Sequence, residues 1–426
     1  MSNTNVAHIN NNGGGMTTVT APVVDEGPSP FVQPGVDIKK LVPTRIHFLD
    51  NTEHTFHVHQ KAKGSILIDL VAAQLELREK DYFGLAYYDD QKLQHWLYPE
   101  KRIKKQLKGL PLEFWFQVKF YPPQPAQLSE DLTRYLLYLQ LRRDVHTERL
   151  PVSFAAQANL GAFVAQAMLG DYRPSEEYAD HLNSARIAQP TTEQEQFIGH
   201  VREMHKQHRG LTPQEAELNY LNACKALAMY GVHLFPAKDS KGKAVQVGIS
   251  AHGISLYSEQ MRIHRFAWPG IIKFSFRRYH FNVKLKAGEI DSKKEASLTY
   301  NLSSYEHAKL LWKCAVEHHG FFRLIQPDRK GKHHFLSFGS ARFRYTGRTN
   351  IQSQMASQLF ETPTVDDHLK SKSVDQIALK GRTEHPSPLN YADEATPQKS
   401  KQPQQLNEQQ RNMVTSLHYQ EVGDRF

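Results

Sequence analysis

The residues able to do chemistry in this chain are a run of cationic strand residues, scattered histidines, two cysteines and one hydroxyl set among arginines. The cationic run is IIKFSFRRYHFNVKLK, residues 271–286. Strand side chains alternate between faces, so Ile272, Phe274 and Phe276 share one side while Lys273, Ser275 and Arg277 share the other. Beyond the turn that follows, Lys284 and Lys286 again lie opposite Val283 and Leu285. A strand pair with an apolar interior and a basic exterior can hold lipid phosphates by charge-assisted hydrogen bonds. The candidates are Lys273, Arg277, Arg278, Lys284 and Lys286, and the same pattern also describes an ordinary solvated β-face. Nucleic-acid binders combine basic and aromatic residues too, but these aromatics fall on the apolar side and not outward as stacking platforms.

The other groups point away from catalysis. His57 with His59, and His318 with His319, lack a third convergent ligand, so they are expected on strand and helix surfaces and not around a metal. Cys224 and Cys314 lie in apolar helical patterns without CxxC spacing and are expected as core fillers. No GxxxxGK[ST] loop, GxGxxG turn or HExxH helix occurs, so no enzyme, metal or cofactor is expected. Thr346 in RFRYTGR has Arg342, Arg344 and Arg348 around it, a setting for a basophilic kinase. A phosphoryl group there adds about −1.5 to −2 charge to a basic segment and is expected to alter its docking.

These groups sit in a chain of 426 residues, long enough for two or three domains, with a net charge of +9. Residues 261–350 carry 18 Lys and Arg against 6 Asp and Glu, more than the whole chain's excess. Such a concentrated basic region favours inner-leaflet lipid, acidic peptide or nucleic acid. No run approaches the roughly eighteen apolar residues of a membrane span, and the first twenty residues lack a signal's basic start and apolar stretch. An intracellular chain is expected.

Three regions must position the chemistry, between disordered tails expected at 1–40 and 365–426. In 41–122, TRIHFL and HTFHVHQ form a hairpin about Asp50–Asn51. SILIDLVAAQLEL follows as a helix capped by Ser65, presenting Leu67, Leu70, Val71, Ala73 and Leu75, and strands are expected at 83–89 and 112–121. In 123–231 four helices are expected at 129–145 with a Ser129 cap, 153–170, 192–208 and 212–231. Thr212 caps the last, Pro213 opens it and Gly231 stops it. In 232–328 seven short strands precede a helix over 304–322, with Ala308, Leu311, Trp312, Ala315 and His319 along one face.

An α+β unit, a helical bundle and a β-sandwich closed by a helix come in the order of a FERM module. EKDYFGL (79–85), the Trp96–Leu97 pair and IKKQL (103–107) resemble the FERM pattern. FQVKFYPPQPAQLSEDLTRYLLYLQLR (116–142), LGDY (169–172), MHKQHRGLTPQEAE (204–217), RIHRFAWP (262–269) and LWKCAVEHHGFFRL (311–324) resemble the protein 4.1 family in particular. FGSARFRYTGRT (338–349) resembles that family's FERM-adjacent region, taken as 329–364. The resemblance implies an α+β multi-lobed fold: a ubiquitin-like lobe, an acyl-CoA-binding-protein-like helical lobe and a PH/PTB-like β-sandwich lobe with a C-terminal helix. It implies a membrane–cytoskeleton adaptor, or a signalling adaptor without a cytoskeletal link. A tyrosine phosphatase fragment is the remote alternative, since the catalytic cysteine motif is absent.

The implied partners are acidic phospholipids, cytoplasmic tails of transmembrane proteins, spectrin and actin, guanylate-kinase scaffolds and calmodulin. A tail peptide would add as a strand beside 271–276 and pack on the following helix, with Phe274, Phe276, Lys309 and Trp312 as groove residues. The stretch 223–243 resembles a calmodulin-binding segment, with Lys225, Leu227, Met229 and Tyr230 as anchors; the residues themselves read more readily as core helix and first strand. The implied location is the inner face of the plasma membrane, the cortical cytoskeleton and cell junctions. No spectrin–actin-binding segment is recognisable after Thr349, so a short form reaching actin through partners is expected.

Overall fold

The computed structural model describes residues 32–174, 177–184, 194–290, 293–327 and 343–358, all within one unit, Met1–Ile377. The chain is ordered earlier than expected. Gln33 N donates to the His57 carbonyl at 2.9 Å and the Gln33 side chain accepts from His59 N at 2.9 Å. The rest of the N-terminal tail and the tail from 365 lie outside the described residues.

In the first lobe β1 (Leu41–His47) and β2 (Glu53–His59) pair antiparallel about the expected turn, where Asn51 takes a left-handed φ of 67°. Helix α1 (Gly64–Gln74) crosses the sheet, followed by β3 (Phe83–Tyr88), β4 (Gln94–Trp96), α2 (Ile103–Leu107) and β5 (Glu113–Val118). The order β2-β1-β5-β3-β4, with β5 parallel to β1, is the ubiquitin-like arrangement. Ser65 is not the cap of α1. Lys63 holds that position without a side-chain bond, and the loop before α2 satisfies the helix instead. Gly64 N donates to the Lys101 carbonyl and Ser65 N to the Pro99 carbonyl, each at 2.9 Å. A Cβ at Gly64 would lie 2.5 Å from the Tyr98 carbonyl oxygen, so glycine permits this approach. Leu67, Val71 and Leu75 are buried as expected, but Ala72 is buried in place of Ala73.

The second lobe holds α3 (Asp131–His146), α4 (Phe154–Leu169), α5 (Tyr178–Ser184), α6 (Gln194–Lys206) and α7 (Pro213–Lys225). Ser153 caps α4, and Thr212 with Glu215 forms a capping box on α7. Two boundaries differ from expectation. The cap position of α3 is Glu130, not Ser129; its carboxylate accepts from Arg78 N and Glu79 N at 3.0–3.2 Å, while the Glu79 carboxylate accepts from Ser129 N and Glu130 N. Helix α7 ends at Lys225, well before Gly231, since residues 226–230 turn back onto the core shared by the first two lobes and bury Met229 there.

In the third lobe β6 (His233–Lys238), β7 (Ala244–Ser250), β8 (Gly253–Ser258) and β9 (Met261–Ala267) form one leaf. The other leaf is β10 (Ile271–Arg277), β11 (His280–Leu285) and β12 (Ala296–Asn301). The order is β10-β11-β12-β6-β7-β8-β9, and the leaves are joined at the pair Asn301↔Lys238, so the sheet folds over on itself as a sandwich. Helix α8 (Tyr305–Arg323), capped by Ser304, closes it and buries Ala308, Leu311 and Ala315 against Val247, Phe281 and Val283. The first two lobes share one continuous apolar core, which Tyr257 and Phe321 of the third lobe join, whereas the interior of the third lobe forms its own. Helix α9 (Asn350–Ser357) lies beyond it. Among the described residues no helix is long and apolar enough to cross a membrane.

Candidate functional site

Strand β10 is an edge: β11 lies on one side, and the other leaves a row of backbone donors and acceptors for an incoming strand. Beside it runs α8. Phe276 packs on Trp312 at 5.3 Å between ring centres and on Tyr305 at 5.6 Å, while Phe274 meets Trp268 at 6.0 Å and His319 at 6.2 Å. The Lys309 ammonium lies 5.4 Å over the Tyr305 ring. Phe274, Phe276, Lys309 and Trp312 therefore line one surface, half-buried and with no strand across them among the described residues. Ile272 does not join the interior. A register shift between Ile271 and Lys273 makes it a bulge residue and leaves it 43% exposed.

The cationic side chains occupy the opposite face of the same strands. Lys273 stands directly across from Lys284, a like-charge pairing that costs a few tenths of a kcal/mol to about 1 kcal/mol unless an anion intervenes. Lys284 Nζ reaches the Glu295 carboxylate at 2.5 Å. Arg277 pairs across from His280, Arg278 turns the hairpin at a left-handed φ of 54°, and Lys286 follows β11. All five are exposed.

A second cationic cluster, between the first and third lobes, was not anticipated. Lys119, just after β5, holds Glu317 of α8 at 2.6 Å with both side chains buried. Lys101, Lys119 and Lys313 all lie within 6 Å of the Tyr98 ring centre. Burial, with the neighbouring Lys101 and Lys309 charges, pulls the Lys313 amine down to about 8. The spacing of Lys309, Lys313 and Glu317, every fourth residue on one helix face, was the available signal.

Comparison with known proteins decides the family. The FERM N-terminal domain matches residues 46–109, the FERM central domain 123–235 and the FERM C-terminal PH-like domain 239–330. Human Band 4.1-like protein 2 is 44% identical over 324 residues, covering 76% of this chain and 32% of that protein. Bovine Protein 4.1 is 44% identical over 319 residues, 75% of this chain and 51% of that protein. This chain belongs to the protein 4.1 family. It spans about a third to a half of the length of these relatives. The crystal structure of the FERM and C-terminal domain complex of Drosophila Merlin shares the fold, with a TM-score of 0.58 and 24% identity over 65% of this chain and 95% of that one.

In this protein 4.1 family member the three lobes meet around a buried polar network. Tyr121 OH donates to Asp144 at 2.5 Å, and Arg149 lies 3.6 Å from the same carboxylate. Arg149 donates to His233 Nδ1 at 3.2 Å, so His233 Nε2 carries the proton it donates to the Lys119 carbonyl at 3.2 Å. His318 is buried here, contrary to the expected helix surface; its Nδ1 bonds the Cys314 carbonyl at 2.9 Å. Phe120 stacks on Phe321 at 4.2 Å across the junction. His319 is half-buried against Trp268. Cys224 is buried and Cys314 half-buried, and no cluster of metal-binding residues is found among the described residues.

The described part of the FERM-adjacent segment forms a clasp over this junction. Phe343 lies 5.1 Å from Tyr98 and 5.9 Å from Trp312, and Tyr345 packs on Phe120 at 5.8 Å. Thr349 and Gln352 form a capping box on α9, and Thr349 also donates to the Ile325 carbonyl at 3.0 Å. Ser353 donates to Asp81 at 3.0 Å and Ser357 to Glu79 at 2.7 Å, which ties the segment back to the first lobe. Thr346 is exposed at the bend, between half-buried Arg344 and exposed Arg348; Arg342 lies outside the described residues.

The four calmodulin candidates are not on one helix face. Lys225 ends α7 and bonds Gln124, Leu227 is half-buried, Met229 is buried, and Tyr230 donates to the Pro122 carbonyl at 2.8 Å. Two of the four are thus held against the link between the first two lobes.

Proposed function

We propose that this FERM module is a membrane–cytoskeleton linker whose third lobe takes the cytoplasmic tail of a membrane protein as an added strand on β10. The observation that carries this reading is the free β10 edge lined by Phe274, Phe276, Lys309 and Trp312 beside α8. Backbone pairing supplies affinity in such a groove, and side-chain pockets supply selectivity. The outer face with Lys273, Arg277, Arg278, Lys284 and Lys286 favours acidic phospholipid, which places the protein peripherally at the inner face of the plasma membrane and at cell junctions. Spectrin and actin, directly or through guanylate-kinase scaffolds, complete the link, and calmodulin is a regulator that acts by drawing out the turn after α7. The role is binding and not catalysis. Phosphorylation of Thr346 adds charge at the bend of the clasp and loosens it.

The test is pelleting of the chain with vesicles, with and without phosphoinositide and a juxtamembrane peptide. Binding is expected to require one of them and to weaken on the order of a hundredfold when Lys273, Arg277 and Lys284 are changed to Gln, at about 1 kcal/mol for each charge near a surface. Peptide binding is expected to be lost in Trp312→Ala. Pelleting that ignores both additions, or all three charge changes, overturns the reading.

A further inference from the structure

Tyr98 lies in the loop between β4 and α2, where the first lobe meets α8. Three ammonium groups surround its ring: Lys313 Nζ at 4.4 Å, Lys101 at 5.3 Å and Lys119 at 5.9 Å from the ring centre. Lys309 stands one turn from Lys313 on the same helix face. Among the described residues, Glu317 is the one carboxylate in ion-pair contact with any of these four, and it is engaged by Lys119. The cluster therefore lacks negative charge in a half-buried place, where cations repel strongly. The loop is rigid. Gln106 accepts from Tyr98 N at 2.8 Å and donates to its carbonyl at 2.9 Å, and Gly64 packs beneath that carbonyl.

Other tyrosines differ. Tyr82, Tyr138 and Tyr220 are fully buried, and the exposed Tyr305 has the single ammonium of Lys309 over it. Tyr98 alone among these is half-buried, neither sealed in the core nor fully exposed, and set among several lysines. We propose that Tyr98 is a phosphorylation site whose phosphoryl group is held by Lys101, Lys119 and Lys313. The co-reactants are a nucleoside triphosphate and a protein tyrosine kinase. The phenol oxygen bonds to the γ-phosphorus, the bond from that phosphorus to the bridging oxygen breaks, and the nucleoside diphosphate leaves with the electron pair. The phenol is neutral at neutral pH, its ionisation pushed well up by burial and by Glu317, so the proton passes to the kinase's base. The resulting dianion bridges lysines of the first lobe and of α8, as charge-assisted bonds do, and fastens the two lobes together.

The test places phosphotyrosine at position 98 of the full chain by amber suppression and follows its phosphorus resonance against pH. The second ionisation, ordinarily about 6, is expected to fall by at least about half a pH unit, with Lys101→Gln and Lys313→Gln each returning part of the fall. The melting temperature is expected to equal or exceed that of the unmodified chain. An ordinary ionisation that neither substitution moves, or a lowered melting temperature, overturns the proposal. So does incubation of the unmodified chain with a purified tyrosine kinase and ATP that modifies Tyr279 or Tyr305 and leaves Tyr98 untouched.

Discussion

His233 and His318 show how burial at the lobe junction changes single residues. Desolvation holds His233 neutral, helped by the nearby His318 and by the Arg149 charge, and it pulls the His318 imidazole down to about 3. In the unfolded chain both return to about 6.5. Between those values the unfolded state binds protons that the folded state refuses, so stability falls as pH drops below about 6.5. Each histidine is expected to remove about 1.4 kcal/mol between pH 8 and pH 5.5. Urea unfolding at the two pH values measures this, and His318→Asn is expected to reduce the pH dependence by about half; an unchanged slope refutes the assignment. Ser65, Ser129 and Gly231 teach the same lesson at helix ends. Each has the right type for a cap or stop, but packing moved the boundary: the Pro99 and Lys101 carbonyls take the first amides of α1, the Glu79 carboxylate takes Ser129 N and Glu130 N, and α7 gives way to a turn that buries Met229.

At the scale of elements, the clasp is held by shape as much as by hydrogen bonds. Gly320 in α8 is where Tyr345 crosses, and a Cβ there would lie 2.5 Å from the Tyr345 Cβ. Helix propensity alone makes Gly320→Ala stabilising by about 1 kcal/mol. With Tyr345 docked the sign is expected to reverse, because the clasp must lift. Hydrogen exchange in 350–357 is then expected to approach that of a free peptide, since an eight-residue helix does not stand alone. Protection in β7 and β11 is expected to persist. A stabilised variant with α9 still protected would refute the docking. The strand bearing the candidate groove also needed its neighbours: a bulge, unreadable from alternation, turned Ile272 out while keeping Phe274 and Phe276 under α8.

At the scale of the molecule, the lobes are bound by a buried charge pair as well as by aromatic stacking. Lys119 comes from the first lobe and Glu317 from the third, each side chain at most 10% exposed. Removing one partner strands the other, so Lys119→Met is expected to cost about 3–5 kcal/mol in denaturant unfolding. The double change Lys119→Met with Glu317→Leu is expected to recover most of that loss, since paired apolar replacements are often near neutral. A double variant as weak as the single one would mean that the pair is not the tie. The shared core of the first two lobes and the separate core of the third leave this junction as the place where ligand binding and lobe arrangement can influence each other.

Local periodicity was enough to place the hairpin of β1 and β2, helices α3, α4, α7 and α8, and the run of third-lobe strands, because alternation and helical spacing are written in consecutive residues. Long strings such as 116–142 and 311–324 carried the family. Tertiary structure alone decided that His318 is buried, that Lys101, Lys119 and Lys313 converge on Tyr98, and that 343–358 folds back onto Glu79 and Asp81. Those contacts join residues up to 278 positions apart, as in Ser357 to Glu79. A residue's type and its near neighbours report the face it shows, but the partner on that face comes from how distant segments pack.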